Sequence, residues 1–112
     1  MAKKKRVIHI NVNEQTVVET TVETLDDCQA LVGGLIERVC ILENGDELYA
    51  DEEGLLKDNK YFFMLPGFRR PVAGNAYIIG SVTPAGNNRD AVSTVKEIRD
   101  NIRIMMKVDA DE

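Results

Sequence analysis

Apolar positions along the chain fall into short runs with two different periods. Val7 to Val12 alternates, with Ile8, Ile10 and Val12 on one side and Val7, His9 and Asn11 on the other. A period of two predicts a strand with one buried face. Asn13-Glu14-Gln15 reads as a turn. Thr16 to Val22 then alternates again, β-branched at nearly every position, so the two segments predict a hairpin. The period changes after that, because Leu25, Cys28, Leu31 and Val32 recur at helical spacing. Thr24 can cap this helix by accepting from an orphan backbone N–H. Asp26 and Asp27 sit in its first turn, where the dipole favours carboxylates. Gly33 and Gly34 end it, since glycine enters the left-handed conformation without a Cβ clash. Leu35 to Leu42 is apolar except at Glu37 and Arg38, which predicts a central strand covered on both faces.

The second half is read in the same way. Asn44-Gly45 signals a two-residue type I′ turn into a strand of about Glu47 to Ala50. Asp51-Glu52-Glu53-Gly54 is an acidic turn, Leu55 to Lys60 a turn or single helical turn, and Tyr61 to Leu65 a short apolar strand or buried irregular stretch. Ala76 to Val82 is apolar on both faces and predicts another central strand. Thr83 to Asn88 is a loop by composition. From there to about Lys107, Ala91, Val95, Ile98, Ile102 and Met105 step by four and three residues. That spacing predicts one long helix, capped by Asn87 or Asn88, with Asp90 in its first turn and Arg103 and Lys107 suiting the dipole at its end. Its stripe is expected to pack on the sheet or to form a dimer seam. The fold class is α+β. It comprises a small, mostly antiparallel sheet of about five strands, a short helix after the first hairpin and a longer C-terminal helix packed on one face. One domain is expected over residues 7–108, between a basic tail at 1–6 and an acidic tail at 109–112.

Composition narrows the function. The chain has 112 residues and is 44% hydrophobic, ordinary for a globular domain. No apolar run approaches the roughly 20 residues that span a bilayer, and the start MAKKKRVIHI lacks a secretion signal, so a cytoplasmic protein without a membrane partner is expected. Net charge is −5. Residues 14–53 carry twelve carboxylates against Arg38 alone, which argues against duplex DNA as a partner. The four positive charges at residues 3–6 read as a solvated end. Cys28 and Cys40 lie in apolar surroundings without CxxC spacing and read as buried, reduced thiols. His9 is the sole histidine and cannot anchor an ordinary zinc site.

Two stretches carry candidate chemistry. Pro66-Gly67-Phe68-Arg69-Arg70-Pro71 is a loop shaped by glycine and proline. Arg69 and Arg70 can clamp a phosphate or carboxylate while Phe68 or Tyr61 stacks on a planar group, with Lys60 nearby. Asp51, Glu52 and Glu53 suggest a cation site, but the alternate spacing of a calcium loop is absent, so a solvated acidic turn is the expectation and no metal is assigned. The chain holds no nucleophile elbow, zinc-protease motif or phosphate loop. Gly33-Gly34 follows a helix and enters a strand, the reverse of a phosphate cradle. No catalytic residue and no cofactor are assigned, and a non-enzyme is expected.

The run LDDCQALVGGLIERVCILENGDELYADEEG at residues 25–54, then Leu55-Leu56-Lys57, Asn59 and Gly74-Asn75-Ala76-Tyr77-Ile78-Ile79-Gly80, resembles a family named domain of unknown function 3846. The resemblance covers about residues 7–82. It leaves Tyr61 to Phe68 and the C-terminal segment poorly matched. Members occur largely in bacteriophages and mobile elements, so the resemblance implies an accessory protein and no particular mechanism. Three expectations follow. The first is a non-enzymatic accessory module that binds, and can inhibit, a host or viral protein, as a homodimer or higher oligomer. The second is a homo-oligomer that sequesters a small nucleotide-like ligand through Lys60, Tyr61, Phe68, Arg69 and Arg70. The third is a metal-dependent hydrolase using Asp51, Glu52 and Glu53.

Overall fold

The computed structural model describes residues 3–107. In order, the elements are β1 (Lys5–Asn11), β2 (Thr16–Val22), α1 (Leu25–Val32), β3 (Ile36–Ile41), β4 (Glu47–Asp51), β5 (Tyr61–Met64), β6 (Val72–Ala73), β7 (Ala76–Ile79), α2 (Val95–Asn101) and β8 (Arg103–Met106). Five strands form one sheet in the order β2-β1-β7-β4-β3, and three form a second in the order β6-β5-β8. Every pairing between these strands is antiparallel. The α+β class therefore stands, with two sheets in place of one.

The alternation in β1 and β2 sorts their side chains between two cores. Ile8, Ile10 and Val17 join Leu48, Ala50, Ala76 and Ile78 on one face of the large sheet, against Phe63, Leu65, Val72, Ala91 and Ile98. The other face buries Val7, Val22, Tyr77 and Ile79 against Val32, Cys28 and Leu31 of α1. Val7 is thus covered, and β1 has two buried faces where alternation alone predicts one. α1 begins where its cap residue requires. Thr24 Oγ1 accepts from the Asp27 N–H at 3.2 Å, and the Asp27 carboxylate accepts from the Thr24 N–H at 3.0 Å. Hydrogen bonds from the Glu23 and Thr24 N–H groups hold the Asp27 carboxyl below its usual range. The helix stops at Gly33, whose φ of 83° is left-handed.

Four expectations change. The Leu35–Leu42 run is not a central strand, because β3 lies at the edge of the large sheet. Only Cys40 and Leu42 reach the main core and Ile36 the second, while Leu35, Val39 and Ile41 are exposed. The turn at Asn44-Gly45 is not type I′, which needs positive φ at both central residues. Gly45 alone has it, at 92°, in a three-residue loop closed by Leu42 N–H to Asp46 O at 2.7 Å. Thr83 to Asn87 repeats that loop, with Gly86 at 91°.

The long C-terminal helix is the third change. α2 holds only Val95–Asn101, and β8 follows it to pair with β5. Thr94 is the N-cap in place of Asn87 or Asn88, through a capping box with Glu97. Upstream, the Asp46 carboxylate holds the Val92 and Ser93 backbone N–H groups and so keeps them out of a helix. The last change concerns the basic end. Arg6 lies in β1, where its guanidinium pairs with Glu19 and donates to the carbonyls of Ala91 and Ser93. The acidic stretch at 109–112 lies outside the described residues.

Asp46 is the internal polar anchor. It is fully buried at 0% exposure. Ser93 Oγ donates to it at 2.6 Å, Ser93 N–H at 2.7 Å and Val92 N–H at 3.0 Å. Asn44 ties the same group together, donating to Ser93 Oγ at 2.8 Å and accepting from Asp46 N–H at 3.0 Å. A buried carboxylate is tolerable only with such a full set of donors.

Candidate functional site: the edge cleft

The large sheet ends at β3, and the small sheet covers one of its faces. Between them, at the β3–β4 edge, lies a cleft of about 630 Å³. One wall is Glu37 to Cys40 with Ala50, Asp51 and Glu52. The other is Gly67 to Ala73, and Phe62 and Leu55 complete it. The volume lies within the roughly 300–1,000 Å³ common for ligand sites.

The two stretches singled out in the sequence converge here. Phe68, Arg69 and Arg70 line one wall, Asp51 and Glu52 the other. Lys60, Tyr61 and Glu53 do not line it. Lys60 and Tyr61 stand at the start of β5, where Tyr61 pairs with Met106 and the Lys60 carbonyl accepts from Lys107 N–H. Phe68 is half-buried and packs on the main core, so it offers the cleft part of its ring. Glu37, Arg38 and Leu55 are cleft residues that sequence reasoning missed. Their only signal was a polar pair inside an apolar run and a leucine in a turn.

Charges in the cleft divide into paired and unpaired. Arg38 faces Glu47 at 3.6 Å. Asp51 is ion-paired with Lys57 and also accepts from Glu53 N–H at 2.9 Å. Burial pushes the Asp51 carboxyl up, but the bonds from Lys57 and Glu53 and the charge of Lys57 outweigh it, and the net direction is down. Lys57 Nζ also donates to the Gly33 carbonyl at 3.2 Å, which locks the acidic turn to the end of α1. A carboxyl lowered in the folded state stabilises above its unfolded value of 3.8, and that contribution is lost as pH falls through the folded value. The expected result is a Tm gap between wild type and Lys57→Met that is full at neutral pH and closes below that range. Thermal melts from pH 2 to 7 measure it, and a gap independent of pH would refute the pairing.

Among the described residues, Arg69 and Arg70 have no ion-pair partner. With Asp51 and Arg38 matched, Glu37, Glu52, Arg69 and Arg70 are the charged cleft residues without an ion-pair partner among the described residues. Nor do three His, Cys, Asp or Glu side chains gather within metal-binding reach among these residues. The acidic turn cannot act as three free carboxylates, since Asp51 already serves Lys57 and the Glu53 backbone.

Other polar groups are occupied by structure. His9 Nε2 lies 2.8 Å from the Leu31 carbonyl. Tyr49 and Tyr77 stack at 5.3 Å on the α1 side, and burial with the Glu47 carboxylate beside it pushes the Tyr49 hydroxyl up to about 12. Burial pushes both cysteine thiols up as well, so each is a poor nucleophile. A second cleft, between Gln15–Val18 and Arg99, Ile102 and Ile104, has its arginine spent on the Val17 carbonyl.

The comparisons with known proteins add one finding. A family model described as domain of unknown function (DUF3846) matches residues 4–103. The chain belongs to this family. The DUF3846 match takes in both walls of the cleft, α2 and the first residue of β8, which extends it beyond the resemblance read from residues 7–82. No curated protein and no solved structure matches the chain. No helix among the described residues is long and apolar enough to cross a membrane.

Proposed function

We propose that this chain is a non-enzymatic accessory protein of a phage or mobile element that binds a host or viral protein through the edge cleft. The observation that carries this is the mouth of the cleft. Leu55, 76% exposed, lines it and Leu56, 85% exposed, follows, beside two unpaired arginines. Adjacent apolar side chains left in solvent next to a charged cleft favour a macromolecular partner over solvent. The fitting segment carries an apolar side chain for the cleft lining at Ala50 and Phe62 and a carboxylate for Arg69 and Arg70. Inhibition follows where that segment is needed by the partner.

The test is affinity capture with wild type beside two variants, Arg69→Glu/Arg70→Glu and Leu55→Ser/Leu56→Ser. All four positions are exposed, so folding is expected to survive. Arginine anchors contribute about 2 kcal/mol or more at interfaces, so each double variant is expected to lose at least about tenfold in capture of the wild-type partner. Equal capture by all three proteins would refute the cleft as the binding surface.

A second reading, a small nucleotide-like ligand, is supported by the cleft's volume and by Phe68 beside the two arginines. Lys60 and Tyr61 drop out of it, since neither lines the cleft. Its expected signature is a rise in Tm with a nucleotide that Arg69→Glu/Arg70→Glu abolishes. A flat response across a nucleotide panel would remove it.

A further inference from the structure

β3 is an edge whose outer side has no strand beside it among the described residues, and three apolar residues in or next to it face solvent. Leu35, Val39 and Ile41 are exposed, Ile41 at 57%. Such an edge is a template for another strand. The bulge in it determines which one. The register against β4 shifts between Arg38 and Cys40, leaving Val39 as the extra residue. Ile36, Arg38 and Ile41 share the face of Asp51, Tyr49 and Glu47, whereas Glu37 and Cys40 share the face of Ala50 and Leu48.

The backbone directions follow from two hydrogen bonds. Leu35 O accepts from Glu52 N–H at 2.9 Å and Leu42 N–H donates to Asp46 O at 2.7 Å, so both residues turn inward towards β4. Alternation from each end then leaves Ile36, Arg38, Val39 and Ile41 turned outward, with the bulge placing two outward residues together.

We infer that β3 is the seam of a twofold homodimer, with the twofold axis passing between Arg38 and Val39. In that register Ile36 faces the partner's Ile41, Glu37 faces the partner's Cys40 and Arg38 faces the partner's Val39. Every outward residue meets an outward residue, and in the Ile36–Ile41 and Glu37–Cys40 pairs the facing residues share a face of the sheet. Lowering the sum of paired numbers by two sets Glu37, inward, against outward Arg38, and raising it by two sets Val39, outward, against inward Cys40, so the bulge selects one register. The charges agree as well. The partner's Glu37 arrives opposite Cys40, on the face that lines the cleft, and brings a carboxylate to the side where Arg69 and Arg70 stand unpaired. The dimer joins two five-stranded sheets into ten strands, and each cleft is then built from both copies. The seam stands apart from the identity of what the cleft binds.

The test uses native mass spectrometry and light scattering on the full chain at micromolar concentration. Wild type is expected at twice the chain mass of 12.5 kDa. Ile41→Lys, at an exposed position, is expected to weaken the dimer at least tenfold while leaving circular dichroism unchanged. The register is tested by Ile36→Cys with Ile41→Cys in a chain carrying Cys28→Ser and Cys40→Ser. A hydrogen-bonded antiparallel pair places Cα atoms about 5.5 Å apart, within the roughly 4.4–6.8 Å of a disulfide, so mild oxidation yields a covalent dimer. A monomeric wild type, a dimer indifferent to Ile41→Lys, or a dimer that does not cross-link overturns the inference. Partner capture by a monomer leaves the binding function standing without the seam, and a cross-linking dimer that captures nothing leaves the seam without that function.

Discussion

Gly80→Ala leaves little or no folded protein. A Cβ built on Gly80 would overlap the Asp90 carbonyl oxygen and sit 2.6 Å from that of Arg89. Both are backbone atoms of a strand-like arm that cannot retreat. Gly80 N–H donates to Arg89 O at 2.9 Å, and Asn88 Nδ2 donates back to the Gly80 carbonyl at 2.7 Å. Moving that arm also pulls on Ala91, whose N–H donates to the Arg6 carbonyl on β1. The expected cost is on the order of 4 kcal/mol or more, a large part of the stability of a domain this size. Gly86→Ala is the control. It has a left-handed φ of 91° and open space around it, so it costs only about 1–2 kcal/mol. Urea unfolding followed by circular dichroism separates the two. Similar midpoints would show that the 80–90 arm does not pack against Gly80 as described.

Asp46→Ala is expected to be nearly as severe, at roughly 3–5 kcal/mol. The substitution removes a fully buried acceptor and strands the donors of Val92 and Ser93. Asp46→Asn keeps the shape but turns an amide N–H₂ towards N–H and O–H donors, so it recovers only part of the loss. Ser93→Ala removes one bond and costs about 1 kcal/mol. Denaturant midpoints for the three variants are expected in that order, with Asp46→Ala lowest. If Ser93→Ala were as damaging as Asp46→Ala, the carboxylate would not be the centre of the network.

Local chemistry was legible where it depended on neighbours in sequence. The capping threonine of α1, its glycine stop and the first hairpin all followed from short-range rules, and each forms as those rules require. What failed depended on distant partners. β3 reads as central because it is apolar, yet its place in the sheet is set by β4 and β7 pairing with each other. The helical period from Ala91 to Met105 was real but ambiguous. Ile102 and Ile104 also fit a period of two, and β5 offers Ile104 a partner in Phe63 that no helix could satisfy. Asp46 carries no sequence signal of its role, because nothing near it shows that Ser93 will meet it 47 positions later.

The candidate site was legible in half. Residue chemistry alone pointed to the loop at Phe68–Arg70 and to the acidic turn at Asp51–Glu53, and the fold brings most of both to one cleft. Lys60 and Tyr61 were grouped with the arginines by closeness in sequence. Phe62 lines the cleft, but alternation along β5 turns the adjacent Tyr61 towards the core with Phe63. Glu37 and Leu55 joined the cleft only through the edge position of β3 and the exposed turn after β4.

The binding surface is tested most directly by a photo-reactive amino acid placed at position 70, on the cleft, and separately at position 18, on β2 at the opposite edge of the large sheet. After illumination in cells that carry the natural partner, position 70 is expected to give a defined covalent adduct and position 18 none. Equal adducts from both positions, or an adduct from position 18 alone, would contradict the assignment of function to the edge cleft.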